Sequence, residues 1–386
     1  MSHAFTIYLL TAISADHLHA FEAMAMFRLD MTSRRAKDFG IYVAASSIGV
    51  FVLYQMFVFA SEWDRYRVYE PLSPNSTITS LRSHGGSDCL PIFTTASIIE
   101  KADTLRKSCE QLHAYPPTDV RIGAVTAHLG DVQEQYQKAL QTHLIHSLVH
   151  ETQLDVLCSP IIDHIWNKPA FILSRLLEEM ALPEDERLNW LFWVDRDTLV
   201  LDPCRSISSF LPPISHTHKN TDKKARDQKE EPHLIMTKDW NGLNAGVFLV
   251  RVDRWAIDFF SDLLAFRHFQ PNVSLPFEEQ TAMEILFEQP RYRDGVEQVP
   301  SVWFDSYPGD TALEFEQRTN DTGLEYHHAM RGDFLVHFAG VEDKDHLMYE
   351  WVDMLGRQKG PWRAEQILRN ITNNIVSIWE DEGYGS

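Results

Sequence analysis

The chain has 386 residues, of which 44% are hydrophobic and 23% charged, a globular composition with room for one large α/β domain and additional segments. Its 55 acidic residues outnumber 35 basic ones and leave a formal net charge of -20. That balance argues against binding a phosphate backbone, so no nucleic-acid partner is expected.

Residues 1–38 carry no strong periodic pattern and read as a tail. Behind them FGIYVAASSIGVFVLYQMFVFA, residues 39–60, contains no charge. As a helix at about 1.5 Å per residue it would extend roughly 33 Å, enough for a bilayer core. It is too long for a signal-peptide core, and no convincing cleavage context follows Ala60 and Ser61. The alternative is a buried helix of a soluble domain. Arg34, Arg35 and Lys37 precede the segment, whereas Glu62 and Asp64 offset Arg65 and Arg67 after it. The bias puts the tail in the cytosol and the rest of the chain in a lumen. Glycosylation triplets at Asn75, Asn272, Asn320 and Asn370 all fall on that side. So do the four cysteines, Cys89, Cys109, Cys158 and Cys204, for which an oxidising lumen permits disulfides in any of three pairings. None has the Cys-x-x-Cys spacing of a structural zinc site.

Residues 61–116 are rich in Ser, Thr, Pro and Gly and suit a loosely packed stem, which leaves 117–386 as the compact domain. RIGAVTA, 121–127, reads as its first strand. Asp131 and Glu134 suggest a capping box ahead of a helix whose stripe is Val132, Tyr136, Leu140, Leu144 and Leu148. LDVLC, 154–158, is a second strand, and Pro169 suits the first turn of a helix with Ile172, Leu173, Leu176, Leu177 and Met180 buried. WLFWV, 190–194, GVFLV, 246–250, and FLVHF, 334–338, are further strands. Strands alternating with helices predict an α/β fold with a mostly parallel central sheet covered on both faces. HTHKNTDKKARDQKEEPH, 216–233, is almost wholly polar and reads as a solvated loop insertion.

The stretch that bears on chemistry is NWLFWVDRDTLVLDPC, 189–204. Its apolar run reads as a buried strand, and Asp195 and Asp197 fall where that strand would leave the sheet, the usual ligand edge of an open α/β sheet. Two carboxylates one residue apart can present oxygens to a hard divalent cation that neutralises a diphosphate. A turn whose aspartates cap the next element is the bland alternative. A phosphohydrolase of the haloacid-dehalogenase type uses similar letters with the first Asp as nucleophile. Here the Gly that should follow the pair is missing, and Gly309-Asp310 is preceded by Ser306-Tyr-Pro, poor strand sequence.

RIGAVTAHLGD, WNKPAFIL, FWVDRDTLVLDP, DWNGLNAGVFLVR, PFEEQTAM and GDFLVHFAG, in that order over most of residues 120–340, resemble glycosyltransferase family 34, the fungal α-galactosyl- and α-mannosyltransferases together with plant xylosyltransferases. The resemblance implies a type II Golgi membrane protein with a lumenal GT-A domain, a nucleotide-sugar donor, UDP- or GDP-linked, and a glycan acceptor. It implies that Asp195, Asp197 and His337 hold Mn²⁺ or another divalent cation. Asn244 and Gly246 match a segment lining the donor sugar, and Glu279 and Gln280 an acidic-Gln pair near the reacting carbon. Lys168, ahead of Pro169, reads either as a contact near the nucleotide or as a solvated lysine. Gly340-Val341-Glu342 departs from the family, many of whose members carry Cys and then a basic residue there. Lys344 is the candidate replacement for the basic contact to the diphosphate. The implied reaction is a retaining hexosyl transfer of galactose or mannose. The competing expectations are a non-catalytic glycan- or nucleotide-sugar-binding protein of the same fold and, behind it, the phosphohydrolase. Homo- or hetero-oligomerisation is left open by the sequence.

Overall fold

The computed structural model describes residues 78, 80–91, 95–112, 120–213, 231–358 and 360–384. The tail and the apolar segment 39–60 lie outside the described residues, as does all but 231–233 of the polar insertion. Among the described residues no helix is long and apolar enough to cross a membrane.

Strands and helices follow as β1 (Leu81–His84), α1 (Thr95–Leu112), β2 (Ile122–Ala127), α2 (Glu134–Val149), β3 (Gln153–Leu157), α3 (Asn167–Met180), β4 (Trp190–Val194), β5 (Thr198–Val200), β6 (Leu234–Asp239), β7 (Gly242–Arg251), α4 (Arg254–Phe269), α5 (Glu278–Phe287), β8 (Val296–Gln298), α6 (Ala312–Gln317), β9 (Leu335–His337), α7 (Lys344–Arg357) and α8 (Thr372–Trp379). Seven strands form one sheet in the order β1-β3-β2-β4-β7-β6-β8. It is mostly parallel, as expected, but β7 runs against both β4 and β6. FLVHF does not join this sheet: β9 pairs with β5 in a two-stranded antiparallel ribbon.

Every residue of β4 is buried because helices and loops cover both sheet faces. On one side Trp193, Phe248 and Val250 pack with α3, α4 and α5 through Phe171, Ile172, Phe259 and Met283. On the other, Phe192, Val247 and Leu249 meet Phe210, Trp303, Phe334 and Trp379.

Three local expectations are corrected. Asp131 caps nothing: α2 starts at Glu134 behind an N-cap Gln133 that makes no side-chain capping bond, and Val132 is exposed. The stripe of α3 is narrower than its sequence suggested, with Leu177 facing solvent. The described part of the segment read as a stem is built into the domain. β1 pairs parallel with β3, and α1 packs Ile98, Ala102 and Leu105 against α2 and β3. The disulfides, left open by the sequence, pair Cys89 with Cys158 and Cys109 with Cys204. Each ties this lead-in to the body of the sheet and closes a long loop, a constraint on the unfolded chain of about 4 kcal/mol in the chain-entropy description.

Candidate active site

Asp195 follows the last residue of β4, and its amide donates to Gly246 O at 2.8 Å. Arg196 turns away: Nη1 donates to Leu129 O at 2.6 Å and the guanidinium lies over the Tyr136 ring. Asp197 therefore returns to the side of Asp195. β5 begins at the next residue, Thr198, whose Cα partner across the ribbon is His337. The Phe338 amide donates to Asp197 O at 3.0 Å, which locks that register. One ligand atom from each of Asp195, Asp197 and His337 then lies within 4.8 Å of the others. Two carboxylates and an imidazole are a donor set that fits a divalent cation such as Mn²⁺.

Burial disfavours ionising Asp197, but His337 and Lys344 outweigh it and hold its carboxyl well below the usual range. Lys344, the first residue of α7, places Nζ 2.5 Å from Asp197 Oδ2. Burial likewise works against charge on His337, while Asp197 and Asp305 raise its pKa to about 10. Lys168 is 5% exposed rather than solvated. Its ammonium sits 3.2 Å from both Asp195 Oδ1 and Glu279 Oε1 and donates to Ala245 O at 2.9 Å. Burial opposes that charge too, but the two carboxylates more than offset it, and the Lys168 pKa is raised. Burial pushes Glu279 up against the pull of Lys168.

The segment around Asn244 and Gly246 owes its shape to an irregularity. Pairing between β6 and β7 runs Met236 with Phe248 and then jumps to Thr237 with Asn244. Residues 245–247 thus lose their β6 partners, as strands commonly do beside functional sites. Ala245 N is left to donate to Gln280 Oε1 at 3.0 Å and Gly246 N to Asn244 Oδ1 at 2.7 Å. Glu279 and Gln280 lie in the first turn of α5. Gly246 was expected to let backbone approach a ligand. What approaches is His337: a Cβ at 246 would stand 2.8 Å from Nε2. Asn244 spends its amide inside the protein, donating to Tyr307 OH at 2.8 Å and Asp239 Oδ2 at 3.1 Å. The structure thus brings Asp195, Asp197, His337, Lys168, Lys344, Glu279, Gln280, Asn244 and Gly246 into one constellation.

Sequence reasoning missed Trp193, whose Nε1 donates to Asp195 Oδ1 at 2.8 Å. It missed Asp305, buried in VWFDSYP, whose Oδ1 accepts from His337 Nδ1 at 2.9 Å. No periodicity marks either. Trp193 reads as plain core, and only the placement of β9 beside residues 305–307 discloses the second contact. Gly309-Asp310, the other half of the phosphohydrolase pattern, is elsewhere engaged: Asp310 is held by Arg318 in a bidentate pair.

Residues 146–347 match the family described as the galactosyl transferase GMA12/MNN10 family. The chain belongs to that family. Its relatives include a probable alpha-1,6-mannosyltransferase MNN10 of Saccharomyces cerevisiae, 25% identical over 39% of this chain and 41% of the relative. An alpha-1,2-galactosyltransferase of Schizosaccharomyces pombe is 24% identical over 48% of this chain and 51% of its own length. The chain thus spans about half the length of the curated relatives it matches, or less. Among solved structures, a glycosyltransferase involved in glycosylation of the major capsid of PBCV-1 aligns over 59% of this chain and 98% of its own, at 15% identity and a TM-score of 0.42. Within the family match lie all the constellation's members, from Lys168 to Lys344.

Proposed function

We propose that the protein is a metal-dependent retaining hexosyltransferase that moves galactose or mannose from a UDP- or GDP-sugar to a glycan hydroxyl. The observation that carries this reading is the convergence of Asp195, Asp197 and His337 within 4.8 Å at the edge of a family-matched α/β domain. Those three residues would hold a divalent cation, Mn²⁺ by preference, which when bound neutralises charge on the donor diphosphate. Lys344, beside Asp197, adds a second positive group on that side and stands in for the basic residue that Val341-Glu342 lacks.

The chain's own groups divide the remaining work. Gln280 is fixed by Ala245 N and faces the donor-sugar wall formed by Asn244–Gly246. Glu279, paired with Lys168, supplies a carboxylate near the anomeric carbon as positive charge develops there. Among the described residues no free base stands in this cluster, so the acceptor proton passes to the departing phosphate oxygen on the same face, with retention. Trp240, 61% exposed, leans on Tyr307 and on Gly340 just past His337 and offers an open ring face to an acceptor sugar. The Golgi lumen, with residues 39–60 as anchor, is the setting we assign. Cys89–Cys158 and Cys109–Cys204, both distal to that segment, support it, as do the exposed Asn272, Asn320 and Asn370.

The test is turnover of a panel of UDP- and GDP-hexoses by the full chain with Mn²⁺ and mixed glycan acceptors. Release of one nucleotide diphosphate, lost with EDTA, is the expected result. Donor binding without turnover would favour the non-catalytic binding protein, the reading suggested by Val341-Glu342.

A further inference from the structure

We infer that Asp305 is the positioning residue of the metal centre: it fixes the tautomer and rotation of His337 so that Nε2 faces the Asp195–Asp197 pair. The inference rests on the metal-site reading above. His337 has two ring nitrogens with two different tasks. Nδ1 donates its proton to Asp305 Oδ1 at 2.9 Å, while Nε2 lies 3.5 Å from Asp197 Oδ1. A neutral imidazole that donates through one nitrogen keeps its lone pair on the other, so once a cation displaces the Nε2 proton the Asp305 contact selects the form that can ligate, and a carboxylate there makes that lone pair more basic.

Asp305 is itself held from two further sides. Its Oδ2 accepts from Thr237 Oγ1 at 2.5 Å and from Tyr307 OH at 3.0 Å. The Tyr307 proton points that way because the phenol oxygen already accepts from Asn244 Nδ2. The carboxylate is fully buried, 0% exposed, and a buried charge persists only where such bonds replace its lost water. Thr237 stands on β6 at the pairing irregularity and Asn244 on β7, whereas His337 ends β9. Asp305 therefore joins the ribbon that carries the third ligand to the strands that shape the donor wall. Residues 305–307 can do this because they run along β9: His337 N donates to Ser306 O at 2.7 Å and Ser306 bridges Val336. Opposite them, Gly246 leaves no room for a Cβ but seats the ring edge. The bland alternative is a buried aspartate that staples β6 to β9 and contributes to stability alone.

The experiment is Mn²⁺ titration of the full chain followed by electron paramagnetic resonance of the free ion, with thermal unfolding measured beside it. Asp305→Asn keeps the shape and an acceptor for Nδ1 but removes the charge, whereas Asp305→Ala removes the contact. We expect the Mn²⁺ Kd to rise about 10-fold in the first and toward 100-fold in the second, the range for lost outer-shell partners of a metal-bound imidazole. Tyr307→Phe, which removes one bond to Asp305 Oδ2 and leaves the carboxylate, should raise it by a few-fold and decides the matter if Asp305→Ala does not fold. The idea is overturned if Asp305→Asn and Tyr307→Phe lower the melting temperature yet bind Mn²⁺ as the parent does. Asp197→Ala separates the two levels. If it abolishes Mn²⁺ binding while the Asp305 and Tyr307 variants bind normally, only the positioning role fails. If it too binds Mn²⁺ normally, the metal-site reading itself is wrong, and the inference with it.

Discussion

Two regions of this molecule bury imidazoles, and they treat them in opposite ways. His337 lies between the carboxylates of Asp197 and Asp305, which raise its pKa to about 10 despite burial. On the other side of β5, α2 presents His143, His146 and His150 to the loop that follows the aspartates. Their Nε2 atoms bond Thr198 O, Arg205 O and Pro203 O at 3.2, 2.9 and 3.0 Å. Carbonyl oxygens only accept, so each Nε2 carries a proton. Burial is the largest influence on all three and lowers them, His143 to about 4 and His146 well below its ordinary value, against a smaller opposing pull from Asp202 at His150. The same side chain sits between carboxylates in one region and clamps backbone in the other. What differs is whether a carboxylate or a carbonyl faces it.

The largest expected effect comes from breaking the charged region. Asp197→Ala removes one metal oxygen and the partner of both His337 and Lys344, and turnover should fall by about 10²- to 10³-fold, read as nucleotide release at saturating donor. Gly246→Ala leaves every charge in place but drives a methyl group into the His337 ring. It should weaken Mn²⁺ binding by about 10-fold, the lower range for a displaced ligand shell, with a smaller loss at saturating metal. If Gly246→Ala binds Mn²⁺ like the parent, the ring is not held as tightly as its neighbours imply.

The neutral region should reveal itself through acid. His146 has a folded pKa below its unfolded value, so its stabilising contribution is full above pH 6.5 and is lost as pH falls below it. Urea midpoints measured from pH 7 to 5 should show the parent losing about 1.4 kcal/mol per pH unit more than His146→Gln, one proton's worth. Asp333 opposes this trend. Burial raises its carboxyl to about 6, so the folded state takes up a proton there first and gains stability as pH falls from 6 toward 4. The difference between parent and variant isolates the histidine. The smallest effect is expected at the rim, outside both regions: Trp240→Ala should raise the acceptor KM by roughly 5- to 10-fold, about one stacking contact, and leave donor hydrolysis unchanged.

Much of the active cluster was legible because it is written in local patterns. An apolar run ending in Asp195-Arg-Asp197 announces a buried strand and its carboxyl edge, and the ordered motifs around it carry the family resemblance. The segment from 80 to 112 was misread because Ser, Gly and Pro richness signals loose chain, whereas β1 gains its order from β3 and two disulfides. Asn244 and Gly246 were expected to line a donor sugar, and the contacts they make in the structure are internal. One braces Tyr307, and the other makes room for His337. Nothing nearby in sequence says that carbonyls from 198–205 would lie against His143, His146 and His150.

By itself the sequence determined the alternation of strands and helices, the Asp195–Asp197 pair just past the end of β4 and the membership of a family, because hydrophobic period and short motifs act within a few residues. Only the tertiary structure decided that His337 would face Asp197 and that Asp305 would stand behind it. The same holds for Lys168 bridging Asp195 and Glu279. Those contacts join segments distant in the chain through the antiparallel register of β5 with β9 and the skipped pairing of β6 with β7. Register is a property of two strands together, and no single stretch of residues contains it.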